Sequence, residues 1–240
     1  MEKGTLTNEI ADGVAYLRFG HAKANSLPLA LLESLSAAIE AAGRDPAVRV
    51  IALSSEGEKA FCAGASFEEF QRITTAEDGR RFFMGFANLL LSMRAAPKLV
   101  VVRVQGKVVG GGVGVVSAAD YVLATNAAQL RLSEFELGIG PFTIGPAVER
   151  RIGTSRFSAM AIDTAWREAE WALATGLYQQ VLPDIPTLDE AFDKMLRTLA
   201  SRDTRASAAL KAVLWEGTEH WPRLLPQRAE ISGELLARAP

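Results

Sequence analysis

Apolar residues along this chain fall into short continuous runs separated by helically spaced ones. Val14–Phe19 is dense enough in apolar residues to predict a buried strand. From Pro28 to about Ala42, Leu31, Leu32, Leu35 and Ile39 recur at helical spacing, and Gly43 follows as a stop signal. Val48–Leu53 reads as a second buried strand, bounded by Asp45-Pro46 and by the polar stretch Ser54-Ser55-Glu56-Gly57. Phe67–Ile73 predicts a short helix. Ala76 to Ala96 predicts a long one, with Phe82, Phe83, Phe86, Leu89, Leu90 and Met93 inward and Pro97 ending it. Leu99–Val104 is another buried strand, Val113–Ala119 an apolar helix and Tyr121–Ala124 a further strand. Strands without polar alternation, interleaved with helices, imply an α/β layout with right-handed crossovers.

After Gly140 the pattern changes to helices: Ala147–Ile152, Ser155–Ile162, Glu168–Ala174, Leu188–Ser201, Ala206–Trp215 and Trp221 to about Ala237. Pro183 and Pro186 mark a boundary, so residues 1–182 read as an α/β core and residues 183–240 as a helical region. A chain of 240 residues, 49% hydrophobic, can bury a large core. A formal net charge of −2 gives no reason to expect nucleic acid as a partner. The single cysteine, Cys62, cannot form an intrachain disulfide and suggests a reducing compartment. Met1 to Gly13 lacks the basic-then-apolar pattern of a signal peptide, and Val108–Ala119 is too short to span a bilayer. A cytoplasmic protein with no membrane partner is expected.

Three segments could carry chemistry. Ala60-Phe61-Cys62-Ala63-Gly64-Ala65-Ser66-Phe67 is built of small residues that let a ligand approach backbone amides, although small residues also crowd ordinary tight turns. Gly110-Gly111-Gly112-Val113-Gly114 opens an apolar helix, whose first amides favour an oxyanion; close helix packing would need the same glycines. Its spacing is not that of a dinucleotide-binding loop. In Arg131-Leu132-Ser133-Glu134-Phe135-Glu136-Leu137-Gly138 two carboxylates sit two residues apart, on the same side if the segment is extended. A glutamate in apolar surroundings is poised for proton transfer, while a cap or a solvated loop would use the same residues. His21 and His220 lie far apart, with no metal-ligand cluster and no nucleophilic triad around either.

Taken together, in this order and over about residues 5 to 235, the three segments resemble the enoyl-CoA hydratase/isomerase, or crotonase, superfamily. The resemblance implies a ββα spiral core with a C-terminal helical region that forms homotrimers or hexamers. It implies an acyl-CoA thioester as substrate, in fatty acid metabolism or a related route, with no cofactor beyond the substrate's own coenzyme A. By the same resemblance, the amides of Ala65 and Gly111 form an oxyanion hole for the thioester carbonyl and Glu134 is the acid/base. Lys23, Ala24, Ala63, Gly64, Gly110 and Gly138 belong to the substrate and coenzyme A site, and Glu136 is a possible auxiliary.

The sequence departs from the family in three places. Hydratases of the family carry a second glutamate where Gly114 stands. An aspartate usually follows the first motif where Ser66 stands. The tail is also short beside relatives whose last helix covers coenzyme A. With one glutamate, hydration and double-bond isomerisation both remain open. So do decarboxylation and a non-catalytic thioester-binding role. Gly138-Ile139-Gly140-Pro141-Phe142-Thr143-Ile144-Gly145-Pro146 resembles the methylglutaconyl-CoA-type hydratases, which favours hydration.

Overall fold

The computed structural model describes residues 3–237. Strands β1 (Thr5–Ala11) and β2 (Val14–Gly20) form a hairpin; helix α1 (Leu29–Arg44) then leads to β3 (Val50–Ser55). A short strand β4 (Ala60–Cys62) precedes α2 (Phe67–Phe70) and the long α3 (Ala76–Ala95). Next come β5 (Leu99–Val104), β6 (Lys107–Val109), α4 (Gly111–Ser117), β7 (Tyr121–Thr125) and β8 (Leu130–Arg131). A 3₁₀ turn at Phe135–Leu137 leads to α5 (Gly145–Ile152), α6 (Thr154–Asp163), α7 (Ala169–Ala174) and β9 (Gln180–Leu182). Helices α8 (Ile185–Ala200), α9 (Thr204–Leu214) and α10 (Trp221–Ala237) complete the described chain.

Two sheets form. The larger has the order β1-β2-β3-β5-β7-β9, parallel throughout except for the antiparallel β1 edge. The smaller, β4-β6-β8, is parallel. β1 falls in the polar amino-terminal stretch: its pattern is mostly exposed, as an edge strand permits, so no apolar run announces it. β4, β6 and β8 are two or three residues long, too short for a periodicity to register.

One face of the large sheet packs on α1 and α3, and Phe82, Phe83, Phe86, Leu89, Leu90 and Met93 are all buried there, as their spacing predicts. The other face presents Val14, Val50, Ala52, Val101 and Leu123 to Leu188, Phe192 and Leu196 of α8. The first helix of the 183–240 region therefore covers the sheet rather than standing apart from it.

α10 folds back along α3. The helices meet at Gly79 and Gly233, where a Cβ built on Gly79 would lie 2.6 Å from the Gly233 Cα. α9 is fixed by a buried cation: Lys211 Nζ donates to Met93 O at 2.6 Å and Lys98 O at 2.9 Å, and pairs with Asp120 Oδ2 at 2.9 Å. Asp120 also accepts from the Val100 amide at 2.7 Å and from Trp215 Nε1 at 2.7 Å. All three ammonium protons and both carboxylate oxygens are thus used, which makes the buried charge tolerable.

Candidate active site

The three sequence segments converge on one cavity of about 260 Å³. The first enters through β4 and the bridge between Leu27 and Ala65. In that bridge the Leu27 amide donates to Gly64 O at 2.8 Å, and the Ser66 amide to Leu27 O at 3.1 Å. The parallel pattern turns the N–H of Ala65 itself away from Leu27. Ser66 caps α2 by accepting from the Glu69 amide. Glu69 in turn accepts from the Leu29 amide at 2.7 Å, tying α2 to the start of α1.

The second segment begins α4 at Gly111, two residues earlier than its apolar run suggests, because glycines fill the first turn. Gly110 has φ 52° and ψ −120°, a conformation open to glycine alone. Gly111 is the first residue of the helix, so its N–H has no acceptor within it. A Cβ on Gly64 would lie 3.6 Å from the Gly111 nitrogen, and one on Gly111 would strike the Phe86 ring. Ala65 and Gly111 therefore border one cavity, together with Phe67, Phe83 and Phe86. At the far end of α4, Arg151 Nε donates to Ser117 O at 3.0 Å and a second guanidinium nitrogen donates to Ala119 O. A cation at the last carbonyls fixes the helix that presents Gly111.

In the third segment the extended reading fails. Residues 135–137 form a 3₁₀ turn, so Glu134 and Glu136 do not share a side. Glu134 turns inward: its carboxylate lies 3.0 Å from the position of a Cβ on Gly110. Its Oε2 is sealed from solvent and has no partner among the described residues. Burial pushes the Glu134 carboxyl up to about 7, opposed by backbone hydrogen bonds from Glu134 and Ser133 and by the Arg131 charge. Glu136 faces outward, paired with Arg131 at 3.2 Å and accepting from Thr164 Oγ1 at 2.7 Å. It does not line the cavity.

Among the other sequence candidates, Ala63, Gly64 and Gly110 line the same cavity. Gly138, at φ 77°, ends the 3₁₀ turn outside it. Ala24 lines a second, more open cavity of about 770 Å³ with His21, Asn25 and Lys59. The Ala63 amide donates to Ala24 O at 3.1 Å, so the two cavities flank one backbone pairing. Asn25 pins this loop by donating to Glu56 O and Ala60 O, and Lys23 is exposed on it. Cys62 is buried, and burial pushes its thiol up to about 12, which disfavours the thiolate a nucleophile needs. Among the described residues no group of three His, Cys, Asp or Glu is gathered as a metal site. No helix of these residues is long and apolar enough to cross a membrane.

Sequence reasoning passed over Ile144, Thr143, Arg131 and Ser232 as cavity residues. A Cβ on Gly114 would lie 2.5 Å from Ile144 Cγ2. The space beside Gly114, where the resemblance implies a second glutamate in hydratases, is filled by an isoleucine. A glycine mid-helix beside a bulky apolar residue downstream was the available signal. Gly114→Ala is expected to lower stability by about 1–3 kcal/mol through overpacking, and its double variant with Ile144→Ala to lose less than the sum of the two single changes. Thermal denaturation of the single and double variants checks this.

The fold and site define an α/β spiral protein with one carboxylate turned into a largely apolar cavity. The model of the enoyl-CoA hydratase/isomerase family matches residues 9–235, so the chain belongs to that family. It is 30% identical to mouse methylglutaconyl-CoA hydratase over 72% of this chain, a match spanning only 55% of the mouse protein. It is 25% identical to the trans-2-decenoyl-[acyl-carrier-protein] isomerase of Streptococcus mutans over 91% of this chain and 84% of that one. The crystal structure of an enoyl-CoA hydratase from Mycobacterium avium subsp. paratuberculosis superposes with a TM-score of 0.86, at 26% identity, over 98% of this chain and 94% of that one. The fold is the crotonase fold.

Proposed function

We propose that this protein hydrates a 2-enoyl-CoA thioester with Glu134 as its single acid/base. The observation that carries this reading is the buried Glu134 carboxyl, raised to about 7 in the cavity that Ala65 and Gly111 also line. The thioester carbonyl accepts from those two amides. Glu134, as carboxylate, takes a proton from water as the water oxygen bonds to the β-carbon. The electron pair of the double bond moves to the carbonyl oxygen, and the enolate is held by the two N–H groups. The enolate then takes the proton from Glu134 at the α-carbon, giving a 3-hydroxyacyl thioester and restoring the carboxylate. Ala24, in the outer cavity, and the exposed Lys23 next to it in sequence receive the coenzyme A portion. Phe67, Phe70, Phe83 and Phe142 enclose the acyl group. Leu210, Val213 and Leu214 of α9, all exposed, fit a trimer or hexamer interface.

Isomerisation is the second reading, favoured by the apolar Ile144 wall where a second carboxylate would stand. A panel of enoyl-CoA thioesters read by mass spectrometry and absorbance separates the two. Gain of one water supports hydration. A shifted double bond at unchanged mass supports isomerisation instead, and absence of any turnover would sink both.

A further inference from the structure

Four buried side-chain polar atoms have no hydrogen-bond partner among the described residues: Arg49 Nε, Arg131 Nε, Glu134 Oε2 and Thr143 Oγ1. Three of these four belong to residues that line the one cavity of the candidate site. Buried polar atoms normally find partners, and a cluster without them marks a place where a ligand completes the set. Arg131 is partly accounted for, since one of its terminal guanidinium nitrogens pairs with Glu136 at 3.2 Å. Thr143 is not. It is 3% exposed, its hydroxyl can both donate and accept, and it directly precedes the isoleucine that fills the space beside Gly114.

We propose that Thr143 holds the attacking water, supplying with a neutral hydroxyl the contact that the second glutamate supplies in other hydratases of the family. This rests on the hydratase reading above. The Thr143 hydroxyl accepts one hydrogen bond from the water, whose other proton is directed to Glu134 Oε2. A hydroxyl orients the water without adding a second negative charge beside Glu134. One carboxylate then serves both as proton acceptor and as proton donor.

The test is Thr143→Val, which keeps the shape and removes the hydroxyl, beside Thr143→Ser, which keeps the hydroxyl. Each is assayed twice: for hydration of a 2-enoyl-CoA, and for exchange of the α-proton of a saturated acyl-CoA into deuterium oxide. Exchange uses the amides and Glu134 but adds no water. We expect Thr143→Val to lose about 10- to 100-fold in hydration kcat, the scale of one hydrogen bond to an ordered reactant, with exchange nearly unchanged. Thr143→Ser should restore hydration. Hydration by Thr143→Val at the wild-type rate overturns the assignment, as does an equal loss of both activities or a failure of serine to rescue. A wild-type protein that exchanges α-protons but hydrates no thioester defeats the hydratase reading itself, and that result is visible before any variant is made.

Discussion

Glu134→Gln should lower turnover by about 10²- to 10⁴-fold while leaving thioester affinity largely intact, because the amide keeps the shape but cannot accept a proton. Steady-state kinetics with an equilibrium binding measurement separates the two effects, and turnover near the wild-type rate would remove Glu134 from the mechanism. The carboxyl must begin as carboxylate, so wild-type kcat/KM should rise with pH through about 7, where Glu134 titrates. Stability runs the other way. The folded-state value is raised from the ordinary 4.5, so burial disfavours the charged form and the folded state loses stability as pH rises from about 4.5 to 7. The glutamine variant lacks this loss. At pH 8 it should exceed the wild type in stability by about 3 kcal/mol, since each tenfold change in proton affinity between the folded and unfolded states is worth about 1.4 kcal/mol. Near pH 4 the two should match. Denaturant unfolding at both pH values checks the sign.

The second large effect lies away from the site. Asp120→Ala should destabilise the protein by about 3–5 kcal/mol, because it leaves the Lys211 ammonium buried without its counter-charge. For a chain of this size the thermal midpoint should fall by about 10 °C. The double variant Asp120→Ala/Lys211→Met should lose less than the sum of the two single changes, since the stranded charge is gone. A strictly additive result would mean that the ion pair is not the coupling element. The remaining loss in the double variant belongs to the Val100 amide and the Trp215 indole, which also depend on Asp120.

Long, one-sided or continuous apolar patterns were legible from sequence. The inner face of α3 and the run Leu99–Val104 appear where their spacing places them, because burial of many apolar groups decides those elements. The small sheet was not legible, since β8 is two residues long and is specified by pairing across the fold. Of the site, the meeting of Ala65, Gly111 and Glu134 in one cavity was legible, for their motifs carry them. The partition of Glu134 from Glu136 was not visible, because it depends on one 3₁₀ turn and on distant partners in Arg131 and Thr164. Thr143 and Ile144 gave no periodic signal. Their significance comes from what Gly114 lacks.

The glycine contact between α3 and α10 has a mechanical consequence. Side chains interlocking along a helix seam can exchange partners by sliding one turn, but two backbones in contact cannot. A one-turn shift of α10 would bring Ala229 or Ala237 to the place of Gly233, with a Cβ 2.5 Å from Ala76 O and from the Arg80 nitrogen. Since Ser232, beside that contact, lines the cavity, the contact keys the last helix to the site in one register.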